Sequence, residues 1–217
     1  VIGGIQPCSF IDFPGHLAAV VFFQGCNLSC AYCHNSNLIP NKGGASNSSC
    51  LEFLANRRGL LTGVTLSGGE PTLDPDLVAL IKEIRGLGFS VKLDTNGMQP
   101  SVVDALVAEK LLDYVAVDVK LTPYSTHRGL LGSGFQGFSP LECLTKISSR
   151  VECEARTTVI DNWHSEGELS AILDSLVTTG VKKWFLQRYS GVRFSSTQDV
   201  SRIITKARDF GIACEER

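Results

Sequence analysis

The chain has 217 residues, 43% hydrophobic and 19% charged, with a net charge of −2. That is enough apolar material for one domain with a sizeable core, and the charge gives no general electrostatic case for nucleic acid or an anionic membrane as a partner. No apolar run approaches the ~20 residues of a membrane-spanning helix, and no basic stretch followed by an apolar core opens the chain, so a cytoplasmic setting is expected.

Residues 1–16 carry glycine and proline and read as an opening segment, with a short hairpin strand laid over the core. The run Leu17-Ala18-Ala19-Val20-Val21-Phe22-Phe23 reads as a buried strand over 17–24. It leads into Gly25-Cys26-Asn27-Leu28-Ser29-Cys30-Ala31-Tyr32-Cys33-His34-Asn35, where three of the eight cysteines stand close together. Three thiolates on one loop can hold three corners of a [4Fe–4S] cluster, which normally takes four cysteines, so one iron is left open. A zinc site would ask for a second cysteine pair or for histidines, and His34 is too near Cys33 to serve the same ion comfortably. Inert thiols are the third option; a disulfide suits neither the odd number nor an intracellular chain. Cys8, Cys50, Cys143, Cys153 and Cys214 are scattered and read as reduced, buried thiols.

The polar stretch 35–49 reads as a surface loop ending in Ser48-Ser49, which can cap a helix over 50–58. Strands are expected over 64–66, 89–93, 114–117, 154–160 and from 183 to 186. Helices are expected over 75–87, 101–110, 140–149, 166–178 and 200–210. Strand and helix alternate about six times, which argues for a parallel sheet of βα units with right-handed crossovers. The length falls short of the ~250 residues of an eightfold barrel. The reading is therefore α/β, a partial (β/α)6 TIM-like barrel, as a single domain over 1–217.

In such a fold the working residues stand at the C-terminal ends of the strands. The first strand ends in the cysteine loop. The next three end in Ser67-Gly68-Gly69-Glu70, Asp94-Thr95-Asn96-Gly97 and Asp118-Val119-Lys120. Asp118 and Lys120 alternate with Val117 and Val119 at strand period and would share a face, as ligand contacts or as a structural ion pair. Thr95 and Asn96 are equally an ordinary cap and turn. Arg156 could face the same rim or solvent. His127 and His164 read as solvent-facing loop residues, and Trp163 and Trp184 as packing.

The cysteine loop resembles the signature of the radical S-adenosylmethionine (SAM) superfamily. With Ile11-Asp12-Phe13-Pro14-Gly15 before it, Val21-Phe22-Phe23-Gln24-Gly25-Cys26 into it and Tyr32-Cys33-His34-Asn35 closing it, the chain is similar to activating enzymes of glycyl-radical enzymes. The opening Asp-Phe-Pro-Gly and the short chain look closest to the activases of anaerobic ribonucleotide reductase. The resemblance covers about the first 120 residues. It implies a partial barrel, a [4Fe–4S] cluster on Cys26, Cys30 and Cys33, and SAM on the open iron. It assigns the methionyl amino group to Gly68, Gly69 and Glu70, the ribose to Asp118, and the carboxylate or substrate side to Lys120. Tyr32 and His34 would border the adenine; Thr95 and Asn96 are candidate SAM contacts by their position on the rim. Near the sixth strand relatives carry a histidine beside the adenine; here Gln187 or Tyr189 would stand in. The implied partner is a glycyl-radical enzyme, with flavodoxin or ferredoxin as reductant. The alternatives are a small-molecule enzyme such as a carboxy-deazaguanine synthase, the activase of another glycyl-radical enzyme, and a non-catalytic zinc or electron-transfer protein.

Overall fold

The computed structural model describes residues 1–40 and 42–217. Among the described residues eight strands occur: β1 (Ile2–Ser9), β2 (Ala18–Phe23), β3 (Gly63–Gly68), β4 (Ser90–Thr95), β5 (Tyr114–Asp118), β6 (Glu152–Val159), β7 (Lys183–Arg188) and β8 (Ala213–Glu216). Six α-helices alternate with them: α1 (Asn47–Ala55), α2 (Leu77–Gly86), α3 (Pro100–Ala108), α4 (Ser139–Ile147), α5 (Glu166–Thr179) and α6 (Ser201–Asp209). Strands that follow one another in the chain pair with each other within each of two compact units. The residues group into two compact units, one of 1–27, 35–95 and 102–115, the other of 28–34, 96–101 and 116–217.

In the first unit β1 runs antiparallel to β2, and β2, β3 and β4 are parallel in register, Ala18 opposite Gly63 and Gly63 opposite Ser90. β2 and β3 read as near-continuous apolar runs because a parallel strand is covered on both faces: Ala18, Ala19, Val20, Val21, Val64 and Leu66 are all buried. α2 buries Leu77, Leu80, Ile81 and Ile84, the i, i+3, i+4, i+7 stripe that its sequence announces. Phe13 is buried with Ala18 and Tyr114, so the Asp-Phe-Pro-Gly segment serves the core. In the second unit β6, β7 and β8 are parallel, Ala155 opposite Trp184 and Lys183 opposite Ala213. α5 starts on Ser165, whose side chain accepts from the Glu168 N–H, and stops at Gly180 in the left-handed conformation.

Three expectations need correction. The opening segment is a full eight-residue strand. The chain returns to the sheet in β8, which the sequence reading ended as a helix; only Cys214 of that strand is buried, so it lacks an apolar signal. α1 begins at Asn47 and its cap is Ser46, which accepts from the Ser49 N–H, so Ser48 and Ser49 lie inside the helix. Among the described residues no helix is long and apolar enough to cross a membrane.

Candidate active site

In the first unit the exit of β3 is stitched onto the exit of β2. The Gly69 N–H donates to Phe23 O and the Glu70 N–H to Gly25 O, each at 2.8 Å. Gly68 has φ +108°, and a Cβ on it would stand 2.5 Å from Phe23 N; one on Gly69 would stand 2.0 Å from Gly25 O. The two glycines are therefore demanded first by backbone lying against backbone, beside the strand that delivers Cys26. Asn35 reaches back from the far side of the loop, its Nδ2 donating to Gly68 O at 3.3 Å.

Glu70 is 1% exposed, and its Oε1 accepts from the Thr72 N–H at 3.2 Å, the Thr72 hydroxyl at 2.6 Å and the Thr95 hydroxyl at 2.8 Å. Three donors on one oxygen hold the carboxylate in a fixed orientation. Thr95 thus joins the Gly-Gly-Glu segment through Glu70. One feature of β4 was missed by the sequence reading: Lys92 and Asp94 form a buried ion pair, Nζ to Oδ1 2.5 Å, with the ammonium 5.9 Å from the Tyr114 ring centroid. Its signal was available, since Lys92-x-Asp94 repeats in reverse the spacing of Asp118-x-Lys120.

In the second unit the cysteine loop turns on a Cys33 N–H to Cys30 O bond of 3.0 Å. It is pinned by the N–H groups of Ser29 and Ala31, which donate to Leu131 O and Leu130 O. Tyr32 is 5% exposed in an apolar cluster with Leu121, Leu131, Ile160 and Trp163, its ring edge-on to Trp163 at 5.4 Å. Burial pushes its phenol well above the usual tyrosine range. His34 is exposed and stacks on Tyr189 at 4.9 Å, with Ser190 Oγ 3.5 Å from its Nε2. Of the two stand-ins considered for the absent histidine, the structure puts Tyr189 beside His34. Asn96 accepts the Met98 N–H at 2.9 Å, the ordinary turn its sequence allows.

Asp118 and Lys120 do share a face: Lys120 Nζ donates to Asp118 Oδ2 at 2.8 Å, and Arg156 Nε donates to Oδ1 at 3.1 Å. Burial pushes the Asp118 carboxyl up, but Lys120 and then Arg156 outweigh it and hold it down at about 2. Burial likewise disfavours the Lys120 ammonium, and Asp118 overrides it, leaving Lys120 well above the usual lysine range. Lys120 Nζ also lies 5.9 Å from the Tyr32 ring centroid. The expectation that His164 faces solvent is wrong: it is 0% exposed, with both ring nitrogens engaged. A lone histidine in a polar loop carries no burial signal of its own.

Cys26, Cys30 and Cys33 are each partly exposed. Burial pushes the Cys30 thiol up, and Lys120 opposes it. The other cysteines divide differently. Cys50, Cys143, Cys153 and Cys214 are buried, and burial lifts the Cys50 and Cys153 thiols to about 11 and Cys214 to about 12, which keeps them protonated and unreactive. Cys8, expected to be buried, is exposed. Among the described residues no three His, Cys, Asp or Glu side chains are grouped so as to hold a metal ion.

The sequence pattern described as "Radical SAM superfamily" matches residues 20–136. A Methanocaldococcus jannaschii protein provisionally named a glycyl-radical enzyme activating enzyme is 40% identical over 124 residues, 55% of this chain and 50% of that protein. The pyruvate formate-lyase-activating enzyme of Clostridium pasteurianum is 33% identical over 161 residues, 69% of this chain and 65% of the enzyme. The chain thus spans between half and two thirds of these two relatives. The 7-carboxy-7-deazaguanine synthase of Methanopyrus kandleri is 31% identical over 203 residues, 82% of this chain and 76% of the synthase. Among solved structures, Streptococcus suis SuiB bound to its precursor peptide SuiA superposes with a TM-score of 0.73 at 15% identity, over 91% of this chain and 48% of SuiB. At that identity the likeness speaks for the fold, a mixed α/β sheet flanked by helices consistent with the partial barrel read from the sequence. The pattern spans more than half of the chain, which belongs to the radical SAM superfamily.

Proposed function

We propose that the protein is a radical SAM activase that installs a glycyl radical on a partner enzyme, with Cys26, Cys30 and Cys33 as the ligands of a [4Fe–4S] cluster. The observation that carries the cluster is the state of the cysteines: these three are partly exposed on one loop at the exit of β2, while four of the other five are sealed in the core. Thiolates are the ligands such a cluster takes. Each would bind a different iron, so a cluster asks for wider spacing than the single ion for which no group is found among the described residues. Held there beside SAM, such a cluster would supply the electron for reductive cleavage of the sulfonium and so the radical chemistry that takes hydrogen from the partner's glycine.

The protein's own part is binding and exclusion. Glu70, oriented by Thr72 and Thr95, offers a fixed carboxylate for the methionyl ammonium. Asp118 and Lys120 offer an acceptor for the ribose hydroxyls and a cation for the carboxylate. His34 and Tyr189 offer a stacked aromatic surface to the adenine. No general acid or base is assigned.

The activase reading is supported by the names of the M. jannaschii and C. pasteurianum relatives. Anaerobic ribonucleotide reductase as partner rests on the resemblance of residues 11–15, and flavodoxin or ferredoxin as reductant on resemblance alone. A second reading has its own support: the deazaguanine synthase match covers more of this chain than either activase match.

The test is anaerobic electron paramagnetic resonance of the reconstituted protein with reductant, SAM and the anaerobic ribonucleotide reductase of the same organism. The expected result is a reduced-cluster signal shifted by SAM and a stable glycyl doublet on the partner. Alanine at any one of Cys26, Cys30 or Cys33 should abolish methionine release. Full cleavage in such a variant would remove the ligand assignment. SAM cleavage without a doublet on any glycyl-radical partner, together with formation of a carboxy-deazaguanine, would replace the activase by the synthase reading.

A further inference from the structure

His164 lies outside every motif discussed above, yet it is fully buried against the segment that carries Lys120. Its Nδ1 is 3.0 Å from the Ile160 N–H, and its Nε2 is 2.7 Å from the Lys120 carbonyl oxygen. A backbone N–H only donates and a carbonyl only accepts. One form of the ring satisfies both, the neutral imidazole with its proton on Nε2. Burial favours that neutral form. The charged and titratable groups that act on the ring are Glu168 on α5, which favours its cation, and His127 on the loop after β5, which opposes it.

Past Asp118 the chain has left the regular strand, and other residues take over its backbone groups. The Val119 N–H donates to Arg156 O at 2.8 Å, and the Thr157 hydroxyl donates to Val119 O at 2.7 Å. The Thr122 N–H and hydroxyl donate to Glu168 Oε1 at 2.9 and 3.0 Å. His164 takes the carbonyl of Lys120 itself. It is held in turn from behind, where Gln198 Nε2 donates to its own carbonyl. Its neighbour Trp163 packs on Tyr32, under the Lys120 ammonium.

We propose that His164 is a positioning residue: its Nε2 proton fixes the Lys120 peptide and so sets where the Asp118–Lys120 pair presents its ammonium to the bound cosubstrate. This rests on the reading of Lys120 as a SAM contact given under the proposed function.

Two substitutions separate the two ends of the ring. His164→Gln keeps a donor near the Nε2 position and loses the acceptor for Ile160; His164→Asn keeps an acceptor near the Nδ1 position and loses the donor to Lys120. The measurement is the dissociation constant for SAM on anaerobically reconstituted protein, with the thermal midpoint taken on the same samples. The expected result is that Asn weakens SAM binding roughly tenfold, on the scale of one lost hydrogen bond, while Gln stays within about twofold of the parent. Wild-type affinity in the Asn variant, or affinities that merely track the thermal midpoints, would overturn the proposal. Lys120→Met runs alongside. If it leaves SAM binding unchanged, the contact reading fails and takes this inference with it; if it weakens binding while Asn does not, only the positioning role fails. Should both His164 variants misfold, long-range proton–nitrogen correlation of the imidazoles in the unaltered protein decides. A single Nε2-protonated neutral ring for His164 at neutral pH supports the proposal, and an Nδ1-protonated or cationic ring defeats it.

Discussion

Two strand ends in this molecule use the same parts to different effect. On β4, Lys92 bonds to Asp94 two residues away and lies 5.9 Å from the ring centroid of Tyr114. On β5 and just beyond it, Lys120 bonds to Asp118 two residues away and lies 5.9 Å from the ring centroid of Tyr32. The first pair is closed off, its side chains 3% and 10% exposed. The second is more open at 14% and 28%, and its carboxylate is shared with Arg156. A buried pair of the first kind is held because breaking it strands a charge; a half-open pair can exchange part of its solvation for a ligand. The β4 pair therefore reads as framework, and the openness of the β5 pair supports the ligand contact proposed for it, although the sequence writes both as an acid and a lysine at strand period.

The comparison breaks first under removal of each lysine. Lys92→Met leaves Asp94 buried without its ammonium and should cost about 3–5 kcal/mol in urea unfolding. Lys120→Met leaves Asp118 with Arg156 in a partly hydrated place and should cost about 1 kcal/mol. Equal losses for the two variants would erase the distinction between framework and site.

A smaller effect separates them by pH. The folded Asp118 carboxyl, at about 2, lies below its ordinary value of 3.8. A carboxyl depressed on folding contributes stability that is complete above the unfolded value and is lost as pH falls through the folded one. The window is thus from about pH 4 down to about pH 2, and the contribution is on the order of 1–2 kcal/mol after allowing for the partial exposure. Asp118→Asn should flatten the stability profile in that window relative to the parent, read from urea midpoints at pH 4.5 and pH 2.5. An unchanged profile would mean that Lys120 and Arg156 do not hold the carboxylate in solution as they do in the structure.

What the sequence disclosed of this arrangement follows from where polarity contrasts with its surroundings. Asp118 and Lys120 stand out because Tyr114, Val115, Ala116, Val117 and Val119 around them are apolar and buried. Lys92 stands in the same kind of run, but a single lysine at the middle of a short strand reads as a solvent-facing residue, and only its contact with Asp94 shows otherwise. α2 was legible because four apolar residues repeat at helical spacing. β8 was not, since its one buried residue is Cys214. His164 was hidden for a different reason: its burial depends on partners at Lys120 and Ile160 that loop composition does not encode. Gly68 and Gly69 were found for a ligand, yet the structure needs them for the backbone at Phe23 and Gly25.

The finest test of the comparison is at the tyrosine under Lys120. The Tyr32 hydroxyl is the one buried side-chain nitrogen or oxygen without a hydrogen-bond partner among the described residues. A hydroxyl sealed from water without a partner is a standing cost, whereas the ring itself fills the cluster with Leu131, Ile160 and Trp163 and faces the Lys120 ammonium. Tyr32→Phe keeps the ring and discards the cost, so it should leave stability unchanged or raise it by up to ~1 kcal/mol in urea unfolding. Leucine at the same place should lose stability through the missing ring. The sign for phenylalanine carries the information. A gain or no change means that β5 uses Tyr32 as a face for the lysine. A loss beyond about 1 kcal/mol means that the hydroxyl bonds to an ordered water, and that the site at β5 is wetter than the sealed pair at β4.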